Sequence, residues 1–251
     1  MFSNKVFCFA LASWCIVICI IVEGTYGGKE SKDIDVKSDL KAPRETIVRD
    51  NKCSDNLSWS LNNGVLTISG TGDMCNYTYD TFPWYDNKDS ILSIVIENGV
   101  TSIGNYAFYE INNLKSVIIQ DSVISIGTSA FQRCTSLSNV TISNSVKSVE
   151  EYAFNTCTSL QTITIPNSVT SIEYAAFAHC TSLSKVIISD SVKTIKDYTF
   201  YNCSSINDII IPSSVTSIGE YAFHNCTILK ELIFLKVLHI LDVILFTTVT
   251  V

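Results

Sequence analysis

The sequence has few of the residues from which catalytic sites are built. Its 251 residues include three histidines. Neither a G-x-S-x-G motif, a phosphate-binding loop nor an H-E-x-x-H motif occurs. Acidic side chains are scattered among linker and turn positions, so paired carboxylates are not expected either. The sequence therefore predicts a protein that is not an enzyme and that needs no cofactor.

Charge is also scarce, at 16% of residues, and the formal net charge is −7. Because no basic stripe with interleaved aromatic residues occurs, nucleic acid is not an expected partner. The ten cysteines show no paired C-x-x-C spacing, so they are not expected to hold a metal. An apolar content of 47% is enough for a sizeable core, which fits one domain with terminal segments.

A unit of 23 residues recurs along most of the chain without insertion. Its phenylalanines are Phe108, Phe131, Phe154, Phe177, Phe200 and Phe223. Columns of valine, isoleucine and leucine keep the same phase. Five cysteines form a further column, namely Cys134, Cys157, Cys180, Cys203 and Cys226, and Ile111 takes that place in the first copy. Exchange with isoleucine indicates a buried small apolar site. A unit this short cannot close a core by itself, so the repeat predicts a solenoid of stacked coils.

Two segments of each unit have the period of a strand. In the closing L-x-x-V-x-I segment, apolar residues alternate as Ile163 and Ile165 do around Thr164. Stacked units place these strands in one parallel sheet. The S-V-T-S-I segment predicts a second short strand, and Y-A-F-x-x-C predicts a single helical turn. His179 and His224 fall at variable positions of that turn and are interpreted as solvated surface residues.

The repeated pattern I-P-x-S-V-T-S-I-G-x-x-A-F-x-x-C-T-S-L-x-x-V-x-I resembles the BspA-type leucine-rich repeats of microbial cell-surface proteins. The segments NLSWSLNNGVLTISGTGDM and FPWY resemble the stretch that commonly precedes such arrays. The resemblance implies a leucine-rich-repeat solenoid, rich in β-structure, with a parallel sheet and short helical turns. It also implies adhesion to host or matrix proteins or to other cells, although a fold class does not by itself carry a function.

These patterns divide the chain into five segments. They are a signal peptide at 1–24, a charged spacer at 25–50, an N-terminal cap at 51–90, the solenoid at 91–234 and an aberrant apolar tail at 235–251. An uncleaved signal-anchor is the alternative for the first segment, and it would be the chain's one contact with a membrane. Either alternative predicts a secreted or cell-surface protein.

The cap is predicted to contain a β-hairpin. Residues 57–61 and 66–68 alternate between apolar and polar, and Asn63-Gly64 between them is a tight-turn dipeptide. A solenoid exposes the apolar end of its first coil unless another element covers it. We therefore expect the hairpin, with Phe82, Trp84 and Tyr85 behind it, to cover that end.

Two kinds of covalent modification are predicted. Cys53 and Cys75 bracket the hairpin, and an oxidising setting favours a disulfide between them, with two free thiols as the alternative. N-x-S/T sequons occur at Asn56, Asn76, Asn139, Asn202 and Asn225. They are glycosylated only in a eukaryotic host that modifies them. The cap asparagines are the better acceptors, because the last two lie in a turn beside the cysteine column.

The strand residues that alternate with the buried pair are predicted to form a candidate binding face. Its members are Ile118, Thr141, Thr164, Lys185, Ile187, Asp208, Ile210, Glu231 and Ile233. Exposed isoleucines favour a contact patch, although β-branched residues also suit strands without any partner. The expected function is adhesin-like binding of an extracellular or cell-surface protein. The alternatives are a self-assembling coat protein and an accessory module of a larger enzyme system.

Residues 235–251 depart from the repeat abruptly. As a membrane span, residues 232–251 are barely long enough and contain Lys236, His239 and Asp242. The lysine and the aspartate each cost ~2.5–3.5 kcal/mol near a helix centre. As a signal for a lipid anchor, the tail lacks the clear small-residue site and the polar spacer that should precede the apolar run. The third interpretation is a seventh repeat read out of frame. Codons for FLKVLHILDVILFTTVTV, shifted by one base, can spell PKSVTYIGCYSFYNCY, whose phenylalanine and cysteine fall 23 residues after Phe223 and Cys226. The gene sequence across this junction tests that interpretation.

Overall fold

The computed structural model describes residues 6–11, 16–21 and 52–234. The predicted spacer and the predicted tail lie outside the described residues, and so does the rest of the predicted signal peptide. The strands are β1 Val6–Leu11, β2 Ile16–Ile21, β3 Lys52–Ser54, β4 Leu57–Asn62, β5 Val65–Gly70, β6 Gly72–Asp73, β7 Ser93–Ile96, β8 Val100–Ile103, β9 Ser116–Ile119, β10 Ser125–Ile126, β11 Asn139–Thr141, β12 Ser148–Val149, β13 Thr162–Ile165, β14 Ser171–Ile172, β15 Lys185–Ile188, β16 Thr194–Ile195, β17 Asp208–Ile211, β18 Ser217–Ile218 and β19 Glu231–Phe234. A 3-10 helix spans Tyr85–Ser90.

The chain coils into a stack with two rows of strands, one from each strand-like segment of the repeat. The odd-numbered strands from β7, here called the first strand row, pair in parallel within three groups, β7-β9-β11, β13-β15 and β17-β19. Within a group the register is one repeat, as for Ile94 with Val117 and Thr164 with Ile187. The groups follow one another along the stack instead of forming the single parallel sheet that the repeat predicts. The even-numbered strands, the second strand row, pair in parallel in two groups, β6-β8-β10-β12 and β14-β16-β18, as Ile126 with Val149 does. The predicted solenoid with parallel strands is therefore confirmed.

The core is a set of columns that run the length of the stack. The six repeat phenylalanines are fully buried, and neighbouring rings stack with centroids 5.1 to 5.7 Å apart. The repeated valines, isoleucines and leucines are buried beside them. Each coil therefore buries its apolar side chains against the equivalent side chains of its neighbours, as a short repeat must.

The predicted hairpin is confirmed, and it belongs to the same sheet as β7, β9 and β11. β4 and β5 pair antiparallel, and Asn63 and Gly64 between them both have positive φ, at 50° and 81°. Two such residues are what a two-residue turn matching the strand twist requires. β5 then pairs in parallel with β7, so the hairpin covers the strand edge of the first coil.

The segment predicted as a helical turn is not helical. In every copy the second residue before the phenylalanine has φ between 50° and 58°, and the second residue after it has φ between 58° and 63°. These left-handed residues point backbone N–H groups toward the next coil. Phe108 N donates to the Ala130 carbonyl at 2.8 Å, and Glu110 N donates to the Gln132 carbonyl at 2.9 Å. Hydrogen bonds within the turn, such as that from Tyr109 N to the Tyr106 carbonyl, alternate with these bonds between coils, so the backbone groups of the turn are paired without a helix.

At the other end of the stack, β19 extends the first strand row. It pairs in parallel with β17 and antiparallel with β2, which in turn pairs with β1. The strands β1 and β2 fall within the predicted signal peptide, whose cleavage stays a prediction.

Candidate functional site

The candidate binding face lies on the solvent side of the first strand row. Strands β13, β15 and β17 share one pattern, in which exposed and buried residues alternate. The exposed isoleucines keep large areas accessible, with Ile118 at 54%, Ile187 at 46% and Ile210 at 50%. Thr141 and Thr164 are also exposed in the same column. The two isoleucines in adjacent coils, Ile187 and Ile210, form a small apolar patch on this face.

A polar column borders this patch. Lys185 and Asp208 are exposed in adjacent coils, two residues before Ile187 and Ile210. Apolar side chains beside a charged border are the usual make-up of a protein interface. Glu231 and Ile233 continue the two columns on β19 by register, opposite Asp208 and Ile210. The described part of the structure does not include their side chains.

The cap cysteines lie on neighbouring segments. Cys75 N donates a hydrogen bond to the Cys53 carbonyl at 3.2 Å. Both cysteines are free thiols here, with Cys53 buried and Cys75 exposed. Burial raises the pKa of Cys53 to about 12. Their disulfide stays a prediction for the oxidising setting outside the cell.

The five sequons differ in their surroundings. Asn56, Asn76, Asn139 and Asn225 are exposed, whereas Asn202 is half-buried. The Asn202 amide nitrogen lies 3.1 Å from Nδ1 of His179. Asn139 is on the sheet face, so a glycan attached there would cover part of the candidate binding face. Glycosylation itself stays a prediction.

The cysteine column is buried, and each thiol also has a polar role. The five Sγ atoms each donate to the carbonyl of the phenylalanine one coil earlier, at 3.1 to 3.3 Å. Burial raises the pKa of Cys134, Cys180 and Cys226 to about 12, and it raises the pKa of Cys157 and Cys203 in the same direction. Such thiols are protonated at neutral pH and shielded from reagents.

We expect these five thiols to resist alkylation in the folded protein. At pH 8, a thiol with a pKa near 12 is a thiolate about one part in ten thousand of the time, and the thiolate is the nucleophile. After mild reduction, peptide mapping of iodoacetamide-treated protein should find Cys75 modified and the column unmodified. In concentrated urea all of these cysteines should react. Equal labelling of Cys75 and Cys180 in the folded protein would contradict the buried column.

A row of tyrosines crosses the turns of the later coils. Its members, here named the tyrosine ladder, are Tyr152, Tyr174, Tyr198 and Tyr221. Successive ring centroids lie 5.3, 5.5 and 5.1 Å apart, and each residue is half-buried. Sequence reasoning missed the ladder, although Tyr152, Tyr198 and Tyr221 keep the spacing of the repeat.

The two turn histidines lie at the surface beside this ladder, and each is half-buried rather than fully solvated. The His224 ring stacks on Tyr201 at 5.4 Å and meets Tyr221 edge-on at 5.5 Å. His179 meets Tyr201 edge-on at 5.4 Å. Both imidazoles are held by aromatic contacts between coils.

A shallow cleft of about 400 Å³ opens next to the ladder. It is lined by Glu151, Glu173, Tyr174, Lys196 and Asp197, with smaller residues of the second strand row. Three carboxylates and one ammonium group give these side chains a net negative charge. Within the described residues, no cluster of histidine, cysteine and acidic side chains is arranged to hold a metal ion. No helix in that part of the chain is long and apolar enough to cross a membrane.

Comparison with known proteins finds similar repeats in one protein family and in several solved structures. The family described as "BspA type Leucine rich repeat region" matches in six copies, over residues 83–207 and 156–249. A leucine rich cell surface protein from Faecalibacterium prausnitzii is 30% identical, with a TM-score of 0.58 over 70% of this chain and 52% of that one. A leucine-rich repeat protein from Bacteroides ovatus is 27% identical, with a TM-score of 0.57 over 70% and 51% of the two chains. No curated protein matches the sequence.

A third solved structure, a leucine-rich repeat protein from Eubacterium ventriosum, is 25% identical, with a TM-score of 0.51 over 71% of this chain and 70% of that one. The chain spans about half the length of the Faecalibacterium and Bacteroides proteins. The family matches together extend over residues 83–249, which is more than half of the sequence. The chain therefore belongs to the BspA-type leucine-rich repeat family.

Proposed function

We propose that this chain is a secreted or surface-displayed binding protein that attaches to host, matrix or cell-surface proteins through its sheet face, in the manner of an adhesin. The observation that carries the proposal is the exposure of Ile187 and Ile210 in adjacent coils. Thr141 and Thr164 show that the same column accepts a polar β-branched residue. Strand formation therefore does not require isoleucine at these positions, whereas a protein contact gains from it.

The face is also suited to a partner by its rigidity. Its residues stand on strands whose opposite sides are fixed in the core by Ile163, Val186 and Ile209. A surface that is already ordered loses little conformational freedom when it binds. The surface-protein character of the Faecalibacterium relative supports an extracellular partner.

We expect the double substitution Ile187→Lys and Ile210→Lys to weaken attachment. Two lysines in an apolar contact should lower affinity about 10- to 100-fold, which corresponds to roughly 1.4–2.8 kcal/mol. Binding of the full chain to immobilised matrix proteins and to cells measures this effect. Thr170→Lys with Thr216→Lys is the matched control, because it adds two charges at exposed positions that are not part of the candidate binding face.

Circular dichroism and urea titration must first show that the lysine variants are folded. Unchanged attachment by a folded double variant would remove the isoleucine patch from the interface.

Sedimentation tests the coat-forming alternative, since a binding protein should sediment as a single species and a coat protein should form end-to-end polymers. Polymers at low micromolar concentration would contradict the adhesin proposal.

A further inference from the structure

The tyrosine ladder is continuous although the repeat that produces it is interrupted. Tyr152, Tyr198 and Tyr221 occupy the second position before the phenylalanine, but the intervening copy has Ala175 there. In that copy Tyr174 supplies a ring one residue earlier, and this ring still contacts Tyr152 and Tyr198. Ala175 is itself buried, so packing at its position is complete without a ring. The extra tyrosine therefore adds to the surface rather than filling the core.

Carboxylates accompany the rings. Glu151, Glu173, Asp197 and Glu220 precede or lie beside the ladder positions in consecutive coils, against the single cation Lys196 in the cleft lining. Glu151 and Glu220 are exposed. Burial, the neighbouring ring of Tyr174 and Glu151 together raise the pKa of Tyr152 to about 12, so this ring is a neutral phenol at physiological pH. The surface thus combines neutral aromatic faces with negative charge.

This combination matches one side chain in particular. A guanidinium group is planar and permanently charged, stacks on aromatic faces and pairs with carboxylates through two parallel hydrogen bonds. A lysine ammonium can also lie over a ring, but it is more strongly hydrated and lacks the planar fork. A neutral sugar would use the rings and gain nothing from the carboxylates.

We propose that the tyrosine ladder and the adjacent cleft dock an arginine-bearing segment of a protein partner. The rings receive the guanidinium planes, and Glu151, Glu173 and Glu220 pair with their charge. This surface is on the turns, away from the isoleucines of the sheet face. It can therefore hold its segment whether or not the sheet face binds a protein.

The probe is a fluorescein-labelled peptide of four Arg-Gly-Ser units, and its control has citrulline, a neutral isostere, in place of each arginine. Fluorescence anisotropy with the full chain should show binding of the arginine peptide that weakens as salt rises from about 20 to 200 mM, because exposed charges are screened over that range. The citrulline peptide should bind at least about tenfold more weakly. Equal affinities for the two peptides would overturn the proposal.

Paired variants identify the rings. Tyr198→Leu with Tyr221→Leu keeps apolar volume but removes the aromatic faces, and should weaken peptide binding roughly 5- to 30-fold, from the usual strength of two cation–π contacts. Tyr198→Phe with Tyr221→Phe keeps the faces and should bind within about twofold of the parent. A folded leucine variant with parental affinity would overturn the proposal.

The carboxylates provide a second test that does not depend on the fold of the leucine variant. Glu151→Gln with Glu220→Gln changes two exposed side chains and should weaken binding and flatten its salt dependence. Ile187→Ser, on the sheet face, should leave peptide affinity unchanged, which separates this site from the proposed adhesive face. Parental affinity and salt dependence in the glutamine variant would overturn the proposal, as would a dependence on Ile187.

Discussion

Replacing Phe177 by alanine is expected to lower the free energy of unfolding by ~3–5 kcal/mol, the usual cost of removing a buried phenylalanine ring. The ring is fully buried and stacks between Phe154 at 5.5 Å and Phe200 at 5.7 Å. Its removal leaves a cavity inside the column and separates the rings on either side. Urea denaturation followed by circular dichroism measures the change.

Thr164→Ala is the control for this experiment. Thr164 is exposed on β13, so its truncation should cost about 0.5 kcal/mol or less. The two residues belong to neighbouring coils of the same array, and they differ chiefly in burial. Similar urea midpoints for the two variants would contradict the assignment of the phenylalanine column to the core.

Replacing Trp84 by alanine is expected to be at least as damaging, because this residue takes the place of a coil that is missing at the start of the array. Its buried ring stacks on Phe108 at 5.3 Å and so begins the phenylalanine stack. Its Nε1 donates to the Ala107 carbonyl at 2.9 Å, the equivalent of the carbonyl that accepts from a phenylalanine N–H in later coils. We expect a loss of ~3–5 kcal/mol from the ring alone.

The variant Trp84→Phe separates the two contributions. It keeps a ring against Phe108 but leaves the Ala107 carbonyl without its donor, which costs ~1–3 kcal/mol for a buried group. Tyr79→Ala, an exposed aromatic residue of the same cap, is the surface control. If Trp84→Ala unfolds at the same urea concentration as Tyr79→Ala, Trp84 does not cap the array.

The burial pattern could be predicted from the sequence because it follows from period alone. A residue repeated every 23 positions must meet its own copies, and alternation around Thr164 must place Ile163 and Ile165 on the opposite side. Both features are independent of the details of the turns. The hairpin was predictable for a different reason, since Asn63-Gly64 strongly favours one kind of turn.

The turn conformation could not be predicted in the same way. Y-A-F-x-x-C has no glycine, and local propensity gives no reason to place Tyr152 or Thr156 in the left-handed region. The left-handed residues are stabilised by the next coil, whose carbonyls accept three N–H groups from each of the turns from Phe108 to Phe200. These partners are absent from the sequence of any single copy. The hydrogen bonds that the cysteine thiols donate to the preceding coil could not be predicted either, because their acceptors also lie in another copy. Ile111, at the same position in the first copy, indicated only an apolar site.

The tyrosine ladder escaped prediction because one of its members is out of phase. A search for columns at a fixed spacing finds Tyr152, Tyr198 and Tyr221 but stops at Ala175. Tyr174 joins the row only when the backbone is seen in three dimensions, where a shift of one residue still leaves ring centroids 5.3 and 5.5 Å apart.

Each of the five turns from Phe108 to Phe200 donates N–H groups to the coil that follows it, and that coil accepts them with the equivalent carbonyls each time. The two surfaces of a coil are therefore complementary to those of any other coil. Unequal recombination within the gene can add or remove whole repeats, at three nucleotides for each of 23 residues. Such a change leaves the remaining hydrogen bonds between coils in place. A shift of one nucleotide destroys them all downstream. The fold is thus compatible with a change of array length by whole repeats, which alters the reach of the solenoid and leaves the contacts between coils as they are.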